Sequence, residues 1–130
     1  MATLTPTLTL VSANTSADET LSLSVTDSLD IGAPTRGMSK IATNATGGDD
    51  ITIVPSGAAN QYVYIKHTGF QADGSTATTN QLSVKFASTE GIRLAVGEFA
   101  YFPSKSDVVV NIVSSGAHAI LVEYAYFTAS

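Results

Sequence analysis

The chain has 130 residues, no Cys and a formal net charge of −5, from 6 Lys and Arg against 11 Asp and Glu. One ordinary domain is the expected size, and disulfides and thiolate metal sites are excluded. The basic residues Arg36, Lys40, Lys66, Lys85, Arg93 and Lys105 never cluster, which argues against nucleic-acid binding driven by counterion release.

Apolar residues recur at period two, in short runs bounded by Gly, Asn, Asp, Pro and Ser, an all-β pattern. The chain opens Thr3-Leu4-Thr5-Pro6-Thr7-Leu8-Thr9-Leu10, a half-buried strand with little bulk to bury. Thr7 to Ser12 and Thr20 to Thr26 read as a hairpin across the polar stretch Ala13 to Glu19. Leu8 and Leu10 then share a face opposite Leu21, Leu23 and Val25. Pro6 cannot donate to a ladder and marks the first strand as an edge or bulged strand. Residues 1–28 form an N-terminal arm or hairpin on this reading, and 51–130 an aromatic-rich core, within a single domain spanning 1–130.

From Leu29 to Gly48, Gly32, Pro34 and Gly37 interrupt the alternation, so this stretch reads as a connecting passage with a short strand from Met38 to Ala42. Ile51 to Val54 and Gln61 to Thr68 follow as strands. In the second, Val63, Ile65 and His67 share one face and Tyr62, Tyr64 and Lys66 the other. Gly69 to Asn80 contains Asp73-Gly74 and several small hydroxyl residues, a turn-rich candidate contact loop. Further strands are expected at Gln81 to Ala87, Ile92 to Val96, Phe99 to Phe102, Val108 to Val113 and Ala119 to Phe127. The last two are apolar on both faces and should be central or covered, with Ser114 to Ala117 closing them into a hairpin. The fold class expected is an antiparallel β-sandwich of jelly-roll type with an extended N-terminal strand or arm.

All ten aromatic residues fall between Tyr62 and Phe127. Phe86, Phe99, Phe102 and Phe127 are most simply core. Tyr62, Tyr64, Tyr101, Tyr124 and Tyr126 suit packing or subunit contact, since Tyr joins rigid apolar area to a polar tip. Charged residues are 13 % of the chain, about half the usual share, and Ser and Thr together number 32. Such a surface repels its own copies weakly and offers little Lys protection of sheet edges. Other chains are therefore expected to cover some edges. The expected assembly interface comprises Leu4, Pro6, Leu8 and Leu10 of the arm with the five Tyr residues.

Chemistry finds little to work with. His67 and His118 read as structural or interface residues, since no His-x-His occurs and a metal site needs paired donors. Glu98 reads as a turn residue, paired with Arg93 or a backbone amide. No Ser stands in a Gly-x-Ser-x-Gly elbow. Asp49-Asp50, and Asp27 with Asp30, lack the alternating ligands of a Ca2+ loop. The glycosylation triplets at Asn14 and Asn44 are expected by chance in a chain so rich in Ser and Thr. No enzyme activity and no cofactor is expected. With no basic leader and no long apolar run, a soluble protein made in the cytoplasm without a secretion signal is expected.

The passage Leu94-Ala95-Val96-Gly97-Glu98-Phe99-Ala100-Tyr101-Phe102-Pro103, with the closing Val122-Glu123-Tyr124-Ala125-Tyr126-Phe127, resembles small β-sandwich virion proteins of tailed bacteriophages, notably those infecting cyanobacteria. The resemblance covers roughly residues 60–127. It implies a compact sandwich on the particle surface, often trimeric, acting as a capsid decoration (cement) protein, a head fibre, a tail component or a receptor-binding module for a host glycan. The expected partners are further copies of this chain, as a homotrimer, and the major capsid protein or other virion proteins, with no nucleic acid and no membrane.

Overall fold

A computed structural model describes residues 2–12 and 21–130, with the side chains of 33–35 left aside. The expected joint Ala13 to Glu19 and the Thr20 start of the second run lie outside the described residues.

Among the described residues eleven strands run in chain order: β1 Ala2–Leu4, β2 Thr7–Val11, β3 Ser22–Thr26, β4 Leu29–Ala42, β5 Ile51–Val54, β6 Gln61–Gln71, β7 Leu82–Phe86, β8 Thr89–Leu94, β9 Phe99–Ser104, β10 Val110–Ser114 and β11 Ile120–Ala129. A five-stranded sheet has the order β1-β4-β11-β6-β9 and a four-stranded sheet the order β5-β10-β7-β8; among the described residues β2 and β3 pair only with each other. Every pairing is antiparallel. The protein is thus an all-β, antiparallel sandwich, as the period-two pattern predicts.

The core sits between the two large sheets. Val63 and Ile65 of β6 with Val122 and Tyr124 of β11 meet Leu82 and Val84 of β7 and Val110 and Ile112 of β10 in one buried cluster. Each fully buried Val, Leu or Ile contributes about 1.5–3 kcal/mol before entropy is charged against it. At one open side Phe86 of β7 packs edge-to-face on Phe102 of β9, centroids 5.5 Å apart. Room for that ring comes from Gly91, where a Cβ would lie 2.6 Å from the Phe86 ring.

Two expectations need correction. Residues 29–42 are not a connecting passage but the long strand β4, lying between β1 and β11 and burying Ile31. Its breakers are absorbed by irregular pairing. From Phe127 to Thr128 the partner jumps from Thr35 to Gly32, and from Tyr124 to Tyr126 it moves from Ser39 to Arg36. Pro34 and Gly37 therefore fall in skipped positions, where a missing N–H or side chain costs no ladder bond. Nor do β10 and β11 form a hairpin. They are central in different sheets, and the link between them is held by bonds from Ser115 N–H to Gln81 carbonyl (2.9 Å) and from Thr46 N–H to Gly116 carbonyl (2.8 Å). Each is flanked by two strands of its own sheet, the central position that an apolar pattern on both faces leads one to expect.

Candidate assembly surface

The first strand contributes little. β1 adds three residues to the edge of the five-stranded sheet, pairing Leu4 with Leu29, and Leu4 is half-buried there. After Pro6 the chain leaves that sheet and makes the β2–β3 ribbon, in which Leu8 opposes Val25 and Leu10 opposes Leu23. Period two then places Leu8, Leu10, Leu21, Leu23 and Val25 on one face, and Thr7, Thr9, Ser22, Ser24 and Thr26 on the other with Val11. Thr7 and Thr26 hydroxyls bond at 3.1 Å, the Asp27 N–H reaches the Pro6 carbonyl at 3.1 Å, and Ser12 N–H reaches the Leu21 carbonyl at 2.8 Å. Every described residue of both strands is exposed.

A second apolar surface lies on the outer face of the five-stranded sheet. Registers align Phe127, Tyr62 and Pro103 in one row, and Ala125, Tyr64 and Tyr101 in the next. Glu123, Lys66 and Phe99 form a third row, with Lys40 opposite Glu123 at its end. Burial holds the Tyr64 phenol above its ordinary pKa, with the Glu123 carboxylate adding to the effect. Tyr101 is raised likewise, by burial first and then by Tyr62 and Asp27. Both phenols remain neutral donors at pH 7, so the terrace carries no phenolate charge.

Ribbon and terrace are the two walls of a groove of about 940 Å³. Pro6, Leu8, Leu10 and Val25 line one side, and Tyr62, Tyr64, Phe99 and Tyr101 the other. Among the described residues its lining holds a single charged side chain, Asp27. Of the nine residues expected at an interface, six meet here: Pro6, Leu8, Leu10, Tyr62, Tyr64 and Tyr101. Leu4 stands apart beside Leu29. Tyr124 and Tyr126 are a correction, because they are only 7 % and 8 % exposed and face the core. Phe99 is a correction of the opposite kind: expected in the core, it is 60 % exposed. It and Tyr101 occupy alternate positions of the edge strand β9 and face outward together.

The other outer face differs in kind. On the four-stranded sheet Ser83, Lys85, Glu90 and Arg93 surround a shallow depression of about 390 Å³. Lys85 pairs with Asp50 at 3.2 Å and Arg93 with Glu90 at 2.7 Å. The Arg93 guanidinium holds the Glu90 carboxyl below its usual range. Glu98 does not pair with Arg93; it accepts from the Ala95 N–H at 2.7 Å. Among the described residues no group of three His, Asp or Glu side chains is placed to hold a metal ion.

The loop after β6 is tightly built. His67 is wholly buried, its Nε2 donating to the Asn80 carbonyl (2.8 Å) and its Nδ1 accepting from Gly69 N–H (2.9 Å), so one ring ties both ends of the loop. Inside it Asp73 accepts from the Ser75 and Thr76 N–H groups at 2.9 and 2.8 Å and from the Thr76 hydroxyl. These bonds, the Thr76 hydroxyl foremost, lower the Asp73 carboxyl to about 2. Sequence reading placed His67 as structural, but the partner it holds lies 13 residues on and has no local signature. In comparison with known proteins, no family model and no curated protein matches the chain.

Proposed function

We propose that this chain is a virion structural protein, a decoration (cement) protein that binds between capsid subunits of a tailed bacteriophage and stabilises the shell. The observation that carries the reading is the sorting of the surface: an apolar ribbon and groove on one side, paired charges on the other. Monomeric proteins rarely leave contiguous apolar surface of this kind uncovered, and an isolated two-stranded ribbon is marginal in water without a surface to lie on. Each stable contact would bury on the order of 800 Å² per partner, and several such contacts on one rigid oligomer add through effective concentration. Shell subunits bridged in this way separate less readily. The resemblance of residues 60–127 to phage virion proteins supports the same reading. So does the strand order, in which β4, β11, β6 and β9 face β5, β10, β7 and β8 as in a jelly roll. Synthesis in the host cytoplasm and incorporation into the particle complete it.

The experiment is co-sedimentation with empty capsids. Deleting residues 2–12 is expected to leave a folded sandwich that no longer sediments with shells, and Leu8→Asp should do the same without shortening the chain. Full-strength binding by both variants would refute the arm's role. A second reading, a head fibre, tail or receptor-binding module for a host glycan, is favoured by the hydroxyl-rich loop 69–80, which His67 and Asp73 hold in one conformation. A preorganised loop binds at lower entropic cost. Glycan-array binding abolished by Thr76→Ala, together with no capsid binding, would select it.

A further inference from the structure

We infer that the polar depression on the four-stranded sheet is a binding site for a neutral, hydroxyl-rich ligand, a single sugar ring standing free or at the end of a glycan. The site is separate from the ribbon, the groove and loop 69–80. Its geometry begins with a register fault. Glu90 and Arg93 are three residues apart, and alternation alone turns such a pair to opposite faces of a strand. Here Val84 pairs with Ile92 but Lys85 with Glu90, so Gly91 is skipped. Glu90 and Arg93 then share the outer face with Lys85 and Ser83, their partners on β7. Bulges next to functional sites re-aim side chains in this way. The Arg93 hydrogen bond foremost, then the Ser83 hydroxyl and the Lys85 charge, act to hold the Glu90 carboxyl below its usual range, so the four side chains form one cluster.

The facing wall is fixed as well. The Thr46 N–H donates to the Gly116 carbonyl (2.8 Å), the Gly48 N–H to the Ala45 carbonyl (3.0 Å) and the Asn44 side-chain amide to the Asp49 carbonyl (2.8 Å). Asp50 leaves this loop to meet the Lys85 Nζ at 3.2 Å. A Cβ at Gly47 would touch nothing within 4 Å, so that side stays open. Charge then selects the ligand. Among the described residues the lining carries two cations, Lys85 and Arg93, and two carboxylates, Asp50 and Glu90. An anion would face both carboxylates, a metal ion both cations, and an apolar ligand would strip water from all four. A neutral ligand rich in hydroxyls avoids these penalties, because each hydroxyl both donates and accepts and can bridge a carboxylate oxygen to a neighbouring N–H. The capacity is present. Arg93 gives Glu90 its Nε–H (2.7 Å) and one Nη2–H (2.9 Å), two of the five donors that a guanidinium carries. Since the ion pairs already hold the four side chains, ligand hydroxyls replace water at little ordering cost. The space of about 390 Å³ falls at the small end of ligand sites, which run from about 300 to 1,000 Å³.

The test is heteronuclear NMR of the full chain, titrated separately with methyl hexopyranosides, a neutral oligosaccharide, inorganic phosphate and Ca2+. Saturable shifts of the Gly47, Gly48, Lys85 and Arg93 amides are expected with at least one neutral sugar, and none with phosphate or Ca2+. Tighter binding of the oligosaccharide than of the methyl glycoside identifies a glycan end as the ligand, and equal binding a free sugar. Arg93→Ala and Asp50→Asn should each weaken binding about tenfold, the loss of one charge-assisted hydrogen bond. Both should keep the urea midpoint of the unmodified chain, because surface ion pairs add little to folding. Thr76→Ala, on the other loop, should leave sugar binding unchanged. The inference is overturned by the absence of saturable shifts with every neutral sugar, by shifts with phosphate or Ca2+ alone, or by unaltered affinity in either variant. Co-sedimentation with empty capsids is expected to survive both substitutions, so this site and the decoration reading stand or fall separately.

Discussion

Single side chains in this protein hold segments that lie far apart in sequence, and His67 is the clearest case. Its ring replaces water for the Asn80 carbonyl and the Gly69 N–H at once. His67→Leu keeps comparable bulk but strands both backbone groups, and should cost about 2–4 kcal/mol in urea unfolding. A loss within experimental error would show that water reaches those groups in the folded state. Asp73 acts on the same loop from the outside. Because its carboxyl is lowered to about 2, its contribution is fully present above the ordinary carboxylate value and fades as pH falls towards about 2. Carboxyl chemical shifts of Asp73 should titrate with a midpoint near 2, and the Ser75 and Thr76 amides should move with it. A midpoint near 4 would mean that the turn is open in solution. Ser104 is the opposite case, since its buried Oγ has no partner among the described residues. Ser104→Ala removes an unsatisfied group and should be neutral or stabilising by up to about 1 kcal/mol.

At the scale of strands, the two faces of one sheet separate stability from assembly. Tyr124 of β11 and Tyr64 of β6 differ by one step of alternation, yet the first faces the core and the second the groove. Tyr124→Ala should cost about 3–5 kcal/mol through cavity formation, whereas Tyr64→Ala should cost about 1 kcal/mol or less in the dilute monomer. Similar losses at both positions would mean that the ribbon already closes over Tyr64. Alternation made most of this legible from sequence: the two-faced Val63 and Tyr64 pattern of β6, the apolar β10 and β11, and the ribbon with Leu8 facing Val25. It failed where pairing is irregular, because β4 accommodates Pro34 and Gly37 through register jumps that a sequence shows only as breaks. It also failed for Tyr124 and Phe99. Period two says that two residues share a face but not which face is covered, and that depends on which sheet lies opposite.

The whole molecule is a sandwich carrying a ribbon that, among the described residues, shares no ladder with it, and this division predicts how protection against exchange is distributed. Amides of β6, β10 and β11 lie in central strands flanked on both sides and should exchange only through global unfolding. Ribbon amides have one partner strand and an exposed apolar face, so in dilute protein they should exchange by local opening far faster. If a neighbour supplies the missing cover, ribbon protection must rise with protein concentration while that of the central strands stays fixed, because mass action stabilises only the part that the partner touches. Hydrogen exchange measured over a hundredfold range of concentration reads both populations in one sample. Ribbon amides that match β11 in protection at every concentration would place the ribbon within the sandwich's own cooperative unit, and the apolar groove would then be a feature of packing with no role in assembly.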